Sequence, residues 1–380
     1  MLHPDIKRFR LAVTMGDHAP FSLGRVLGPL QAMADEDARL ELVLPQMRNA
    51  QEFEMGWPWL GACDALLLEN PVWDSHANLG ALASMMKKPV WCDWGDDPFT
   101  VRYRNPGFDS FAERAKIRQV VTGCLKGASL SSVPTATTRA SFPEDLRERM
   151  VIVPEACRWE GSTDPREKVV SWRGALGHEE DVEPFLPAIR AVARDPQFKE
   201  WKWVLFGVPP KTLVQTLAEA LGESLYPPED GSEHKFERLL ESPFWPTPFH
   251  QNAAWRSTRP YIHIVPLPTN PFNLGKPPNA WCEATSVGAV TLGPDFPEWQ
   301  ACRGMVGYTS PAHFQHQLTG LMLSWNGSAL HPGAVESQAE VYPKWTLKEA
   351  NQCRWAILNR LAKDAGLTGG RTENGERRAQ

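Results

Sequence analysis

The chain has 380 residues, 42% of them hydrophobic, so it is long enough to bury a large core and to form two domains. Its 40 lysines and arginines against 45 aspartates and glutamates give a formal net charge of −5, which excludes an overall basic footprint for nucleic acid but leaves a local patch open. We expect no transmembrane span and no signal peptide, and seven scattered cysteines without a CxxC pair favour a reduced, cytoplasmic protein over a disulfide framework or a zinc site.

The N-terminal half alternates short apolar runs with stretches of helical periodicity. We predict strands at 10–14, 40–44, 64–69, 89–93 and 150–154, and helices at 22–34, 77–86, 111–126 and 137–149. The linking pieces are short and polar. This alternation is typical of a doubly wound, Rossmann-like α/β domain.

Three aspartates, Asp93, Asp96 and Asp97, lie at and just beyond the end of the fourth predicted strand. Carboxylates this close together cost electrostatic free energy unless they share protons, bind a cation or accept hydrogen bonds. Two interpretations stay open. Either the aspartates act chemically at the edge of the sheet, or Asp93 or Asp97 caps the following segment while the others are solvated.

A second α/β pattern follows a polar segment at 159–167, whose Gly and Pro suit an interdomain linker. It begins with a strand at 168–172, continues with an amphipathic helix at 182–194 and reaches another strand at 201–207. The chain therefore predicts two α/β domains in succession.

The loop after the strand at 168–172 has the composition of an anion site. Gly174 and Gly177 allow backbone N–H groups to approach an anion at a helix N-terminus. His178 and Asp181 either belong to such a site or form a capping network around the start of the helix. The sequence leaves both alternatives open.

The stretch from 261 to 292 predicts a βαβ unit. In order, it contains a strand at 261–265, a polar loop with Asn270, Asn273 and Lys276, a helix at 279–287 whose C-terminal cap suits Gly288, and a strand at 289–292. In open parallel sheets the loop after a strand's carboxyl end faces the ligand crevice, so we expect Lys276 and Glu283 near a ligand. The alternative for Glu283 is a solvated carboxylate on a helix face.

Three other segments are less distinctive. The Pro- and Trp-rich stretch 226–260 is either an insertion that shapes specificity or a packed surface loop. A helix is predicted at 347–361, and the Gly, Arg and Glu content of the last residues predicts a disordered tail.

A family resemblance rests on five features in chain order. They are the strand at 261–265, the segment Asn-Pro-Phe-Asn, Lys276, Glu283-Ala284 and Gly288-Ala289-Val290. This order resembles the nucleotide-sugar half of GT-B glycosyltransferases, above all the retaining glycogen and sucrose synthase-like family. The aspartate segment after the fourth strand resembles a D-x-DD segment of bacterial and phage GT-B enzymes. The resemblance covers roughly residues 10 to 360.

The resemblance implies an α/β fold of the GT-B type, with two doubly wound Rossmann-like domains facing a central cleft and a C-terminal helix that crosses back. The implied organisation is an acceptor-side domain at 1–158, a linker at 159–167, a nucleotide-sugar-binding domain at 168–345, a crossover helix at 346–364 and a disordered tail at 365–380.

The same resemblance implies transfer of a hexosyl or pentosyl group from a nucleoside diphosphate sugar, with no cofactor and no metal. GT-B enzymes commonly balance the leaving diphosphate with helix dipoles and basic side chains. Arg173 would contact the diphosphate together with Lys276, and Glu283 would hold the ribose hydroxyls. The expected donor-binding residues are Arg173, Gly174, His178, Asn273, Lys276 and Glu283.

On the acceptor side, the resemblance places the aspartates at the cleft. The expected catalytic residues are Asp93, Asp96, Asp97 and His18, and the expected acceptor-binding residues are Gly16, Arg102 and Arg104. Phage-type relatives include enzymes that glycosylate modified DNA bases, which would place the protein in the host cytoplasm, and a run of cations from Arg102 to Lys126 suits a polyanion. The alternative for the cations is that they form a solvated helix face. The alternative to DNA is a glycan, protein or small-molecule acceptor.

Two departures from the family pattern bear on activity. Gly275 occupies the position where the family has a carboxylate beside the sugar, and Glu155 replaces the usual Asn at the end of the first domain. A GT-B-like binding or structural protein without turnover is therefore the alternative to an enzyme.

Overall fold

A computed structural model describes residues 1–14, 23–44, 57–100, 111–156, 160–174, 176–224, 237–241 and 248–368. The chain divides into two compact units. The first unit is built from the described residues of 1–100, 110–154 and 350 onward, and the second from those of 155–349.

The first unit contains a parallel six-stranded sheet in the order β2-β1-β3-β4-β5-β6. Its strands are β1 Phe9–Thr14, β2 Leu40–Val43, β3 Ala65–Glu69, β4 Val90–Asp93, β5 Leu130–Val133 and β6 Met150–Ile152. All five residues of β3 are buried, as expected for a central strand of a parallel sheet that is covered on both faces.

Helices connect these strands. They are α1 Gly28–Glu36, preceded by a π-helical turn at Leu23–Leu27, then α2 Trp57–Gly61, α3 Asp74–Met85, α4 Phe111–Gly127, α5 Ala136–Ser141 and α6 Glu144–Arg147. The single helix predicted at 137–149 is therefore wrong. Phe142 precedes Pro143 and takes extended dihedral angles, because proline disfavours the helical conformation of the residue before it.

Strand β5 was missed by the sequence analysis because two serines interrupt its apolar run. Ser131 and Ser132 are nevertheless buried. Ser132 finds partners inside the protein: its hydroxyl accepts a hydrogen bond from Trp91 Nε1 at 2.7 Å and donates one to Asp93. Buried polar groups are tolerated when they are paired in this way.

The second unit repeats the architecture with a parallel sheet in the order β12-β11-β10-β7-β8-β9. Its strands are β7 Glu167–Gly174, β8 Lys202–Gly207, β9 Leu239–Glu241, β10 Pro260–Ile264, β11 Val290–Pro294 and β12 Val306–Tyr308. Parallel pairing of β10 with β11 confirms the βαβ unit predicted at 261–292.

The helices of the second unit are α7 Glu179–Val182, α8 Leu186–Arg194, α9 Lys211–Leu221, α10 Pro248–Ser257, α11 Pro271–Leu274, α12 Asn279–Ser286, α13 Pro311–Leu323 and α14 Pro332–Lys344. Short 3₁₀ turns lie at Leu176–His178, Glu183–Phe185, Pro196–Phe198 and Pro297–Trp299. Gly288 has a φ of 79° beyond the end of α12, which confirms its predicted capping role.

The last helix, α15 Leu347–Asp364, places Trp355, Leu358 and Leu361 in the same apolar cluster as Phe9 and Leu30 of the first unit. The tail predicted to be disordered lies mostly outside the described residues. Across the described ranges, no helix combines the length and the apolar character needed to cross a bilayer.

Candidate functional site

The carboxyl edge of the second sheet gathers most of the donor-binding residues that the sequence predicts. Strand β7 lies between β10 and β8 and ends in Arg173 and Gly174. The chain after β10 leads through α11 to Lys276 and then to α12, which carries Glu283. Parallel strands end at one edge of their sheet, so these segments share the position where open α/β sheets bind ligands.

Arg173 and Glu283 form a bidentate ion pair. The guanidinium contacts the carboxylate at 2.7 Å from Nη1 to Oε2, 3.1 Å from Nε to Oε2 and 2.9 Å from Nη2 to Oε1. The side chains remain 24% and 22% exposed, so solvent reaches the pair. This contact joins residues 110 positions apart and was not part of the sequence-based expectation.

Asp181, in the helix that follows β7, connects three other polar side chains. Its carboxylate accepts hydrogen bonds from Asn273 Nδ2 at 2.7 Å and from Lys276 Nζ at 3.1 Å, and it lies 2.9 Å from His178 Nδ1. Burial raises the pKa of Asp181, but the hydrogen bond with His178 and the charge of Lys276 outweigh it, so the pKa lies well below its usual range. The side chain is therefore ionised at neutral pH.

The loop that carries Lys276 is fixed by local contacts. Asn270 caps α11 by accepting a hydrogen bond from the backbone N–H of Asn273 at 2.9 Å. Lys276 lies over the ring of Phe272, with its Nζ 4.9 Å from the ring centroid, and its carbonyl accepts from Trp299 Nε1 at 3.0 Å. These contacts hold the ammonium group at the edge of the sheet.

Close packing requires a glycine at one of the two positions in the loop after β7. At Gly174 a Cβ atom would lie 2.5 Å from the ring of Trp172, and Gly174 O accepts from Val208 N at 3.0 Å. At Gly177 a Cβ atom would meet nothing within 4 Å. Packing against Trp172 and the adjoining strand therefore accounts for Gly174, while Gly177 has open space on that side.

Gly275 shows no backbone requirement for glycine. Its φ of −83° and ψ of −9° lie in a region open to any residue. The carboxylate expected here from the family pattern is thus absent without a conformational reason.

A buried histidine, His263, is paired with Ser171 on the strand that also carries Arg173. His263 Nδ1 is 3.1 Å from the hydroxyl of Ser171, which also accepts from Trp255 Nε1 at 3.2 Å. Burial, with a smaller contribution from the charge of Arg173, lowers the pKa of His263 to about 3. His263 is therefore neutral at physiological pH. This role could not be predicted, because a histidine within an apolar strand gives no sign of its partners.

We expect this histidine to make the protein sensitive to acid. Its folded pKa lies below the ordinary value of 6.5, so between these values the unfolded state binds more protons and stability falls as pH falls. Lowering the pH from 7 to 5 should cost about 2 kcal/mol through this group. Denaturant unfolding of the wild type and of His263→Gln at both pH values tests this. An equal pH effect in both proteins would contradict it.

In the first unit, the predicted catalytic aspartates have separate surroundings. Asp93 is buried and paired with Arg25, with Nε to Oδ2 at 2.7 Å and Nη2 to Oδ1 at 3.0 Å. Asp97 is also buried and accepts from Phe99 N at 2.8 Å and Thr100 Oγ1 at 2.6 Å, which is a capping arrangement. Asp96 is partly exposed.

Arg25 and Glu69 are two further charged residues of this unit that the sequence analysis did not select. Arg25 lies in the otherwise apolar turn Leu23–Leu27, and its burial with a carboxylate partner could not be read from that turn alone. Glu69 is buried at the end of β3 and accepts from Asn70 Nδ2 at 2.8 Å.

Several predicted residues lie outside the described part of the chain. These are Gly16, His18, Arg102 and Arg104. Of the predicted run of cations, Lys116 is exposed and paired with Asp74, and exposed Arg118 donates to the carbonyl of Phe99 at 3.2 Å. Lys116 and Arg118 therefore have partners within this unit.

A cavity of about 670 Å³ lies at the opposite, amino edge of the second sheet. Lys168 and Lys202 line it together with Glu200. Lys168 is paired with Glu200, so the cavity mixes both charges. It shares none of the residues described above, and we favour the carboxyl edge because ligands of open α/β sheets bind there.

Comparison with solved structures identifies the fold. Sucrose-phosphate synthase from Thermosynechococcus elongatus matches with a TM-score of 0.64 and 11% identity over 94% of this chain and 100% of that one. Anabaena HepE, in complex with UDP and glucose, matches with a TM-score of 0.63 and 11% identity over 93% of this chain and 99% of that one. A candidate UDP-N-acetylglucosamine 2-epimerase from Listeria monocytogenes matches with a TM-score of 0.54 and 12% identity over 94% of this chain and 97% of that one.

No family model matches the chain, and no curated protein matches it. At such low identity the structural likeness shows the fold alone. The two parallel α/β sheets are those of the GT-B fold, which confirms the predicted fold class. Because the fold is shared by a synthase and a candidate epimerase, activity must be argued from the site.

Proposed function

We propose that the chain is a glycosyltransferase that takes its sugar from a nucleoside diphosphate donor. The observation that carries this proposal is the placement of Lys276 and Glu283 together at the carboxyl edge of the second sheet. The fold neighbours named above include a sucrose-phosphate synthase and a protein in complex with UDP and glucose. UDP is accordingly the first donor nucleotide to test.

The proposed donor site consists of Arg173, Gly174, His178, Asn273, Lys276 and Glu283. Lys276 supplies a fixed positive charge toward the departing diphosphate, where negative charge develops during transfer. Glu283 accepts hydrogen bonds from the ribose hydroxyls. We propose that Lys276 balances the charge of the diphosphate without a metal or a cofactor.

Replacing Lys276 or Glu283 by alanine should weaken nucleotide binding and leave the fold intact. A lost contact with a charged group costs about 1.5–3 kcal/mol, which is tenfold or more in affinity. Calorimetry with UDP and GDP measures this, and Lys202→Ala, an exposed lysine at the opposite edge of the sheet, is the matched control. Unchanged nucleotide affinity in both site variants would refute the donor site.

For the acceptor, we propose the hydroxyl of a modified DNA base, such as a hydroxymethylated base of a phage genome. The support is the predicted run of cations and the family resemblance. In this proposal Asp93, Asp96, Asp97 and His18 act near the acceptor, and Gly16, Arg102 and Arg104 bind it. A glycan, a protein or a small molecule is the alternative acceptor.

Duplex binding should weaken steeply as salt rises, because neutralised phosphates release counterions. A gel-shift series at increasing salt compares the wild type with an Arg102→Ala, Arg104→Ala, Arg118→Ala triple variant. Binding that is absent or insensitive to the substitutions would exclude DNA and favour the other acceptors.

One observation favours a second candidate, a GT-B-like binding protein without turnover. Gly275 lacks the carboxylate that the family places beside the sugar, and its backbone would accept one. Nucleotide binding without transfer, hydrolysis or epimerisation of any nucleotide sugar would support this alternative.

A further inference from the structure

The two basic side chains of the proposed donor site differ in how far their donors are committed. All three guanidinium nitrogens of Arg173 contact Glu283, at 2.7 to 3.1 Å. Lys276 makes one contact with Asp181, at 3.1 Å, and an ammonium group has three donors that rotate freely. The guanidinium is thus aimed at a carboxylate, whereas the ammonium acts as a point charge.

The Arg173–Glu283 pair is held from both sides by rigid elements. Arg173 lies on β7, which has a neighbouring strand on each side. Helix α12, which carries Glu283, is fixed at its C-terminal end: Ser286 O accepts from Ser162 N at 2.9 Å, and the buried guanidinium of Arg166 donates to Val287 O. The backbones of both partners are therefore fixed, and the guanidinium of Arg173 holds the Glu283 carboxylate in one orientation.

We infer that Arg173 is a positioning residue, which orients Glu283 for the ribose of the donor instead of binding the diphosphate. This inference rests on the proposed function. A carboxylate can accept about four hydrogen bonds, so a bidentate contact with a guanidinium is compatible with accepting from ribose hydroxyls. A phosphate bound on the same edge of the guanidinium would have to displace Glu283 and leave that carboxylate beside the phosphate charge.

The experiment compares UDP with 2′-deoxy-UDP, or GDP with 2′-deoxy-GDP if calorimetry selects GDP. Affinities are measured for the wild type, Arg173→Gln, Arg173→Lys and Lys276→Gln. In the wild type, loss of the ribose hydroxyl should weaken binding about tenfold or more, because the hydroxyl donates to a charged acceptor.

In Arg173→Gln the ratio of the nucleotide affinity to the 2′-deoxynucleotide affinity should fall to less than about threefold, because Glu283 is no longer oriented. The deoxynucleotide should bind nearly as well as before. Arg173→Lys should not restore this affinity ratio, since lysine keeps the charge but cannot donate two parallel hydrogen bonds to the carboxylate as a guanidinium does. Lys276→Gln should weaken both nucleotides by the same factor and keep the ratio.

Equal weakening of both nucleotides in Arg173→Gln, with the ratio kept and affinity restored in Arg173→Lys, would overturn the inference and make Arg173 a phosphate ligand. A wild type that binds neither UDP nor GDP would overturn the proposed function itself, so the two failures are distinguishable. Thermal unfolding of each variant verifies that it is folded.

Discussion

Replacing Asp93 by alanine should destabilise the first unit by about 3–5 kcal/mol, because it removes the carboxylate that accepts from two donors of the buried Arg25 guanidinium. Both side chains are almost fully buried, with exposed fractions of 1% for Arg25 and 3% for Asp93. Ser132 would lose its carboxylate partner as well. Denaturant unfolding, followed by tryptophan fluorescence, measures the change.

Two controls make this result specific. Glu219→Gln removes one partner of an exposed pair with Arg190 and should change stability by less than about 1 kcal/mol. The double variant Arg25→Met, Asp93→Leu removes both charges and should recover much of the loss. A fully stable Asp93→Ala variant without turnover would instead favour the catalytic role that the sequence predicts.

Gly207→Ala should strongly destabilise the second unit. Gly207 has a φ of 88°, and a Cβ atom there would lie 2.1 Å from the carbonyl oxygen of Gly174. The left-handed conformation alone costs about 1–2 kcal/mol for a residue with a side chain. The backbone clash adds to this, so we expect a total loss of about 3 kcal/mol or more.

Gly222→Ala separates the two contributions. Gly222 has a φ of 72° at the end of α9, but a Cβ atom there would meet nothing within 4 Å. We expect a loss of about 1 kcal/mol, from the backbone conformation only. Similar losses for the two variants would show that β8 and the Gly174 loop move apart easily.

The fold was largely predictable because its signals are local. Apolar runs such as β3 and β10, separated by helices and bounded by turn residues, determine the α/β alternation. The errors also have local causes. Two serines interrupt the apolar run of β5, so no strand was predicted there. Pro143 separates α5 from α6, although the composition of 137–149 predicts one continuous helix.

The site was predictable only in part. The sequence places Lys276 and Glu283 after a strand, and the structure finds them at the carboxyl edge of the sheet. The partners could not be predicted, because Arg173 and Glu283 are 110 positions apart and Asp181 and Lys276 are 95 apart. Such pairings depend on the order of strands, and periodicity along a chain contains no information about which strands become neighbours.

The most direct test of the account is release of nucleoside diphosphate from a panel of UDP- and GDP-sugars. Wild type, Lys276→Ala and the control Lys202→Ala are each assayed with water, glycans and hydroxymethylated DNA as acceptors. The account predicts that one donor is consumed, that Lys276→Ala lowers the rate by about tenfold or more, and that Lys202→Ala leaves it unchanged. A wild type that neither binds nor consumes any donor, or a Lys276→Ala variant as active as the wild type, would contradict it.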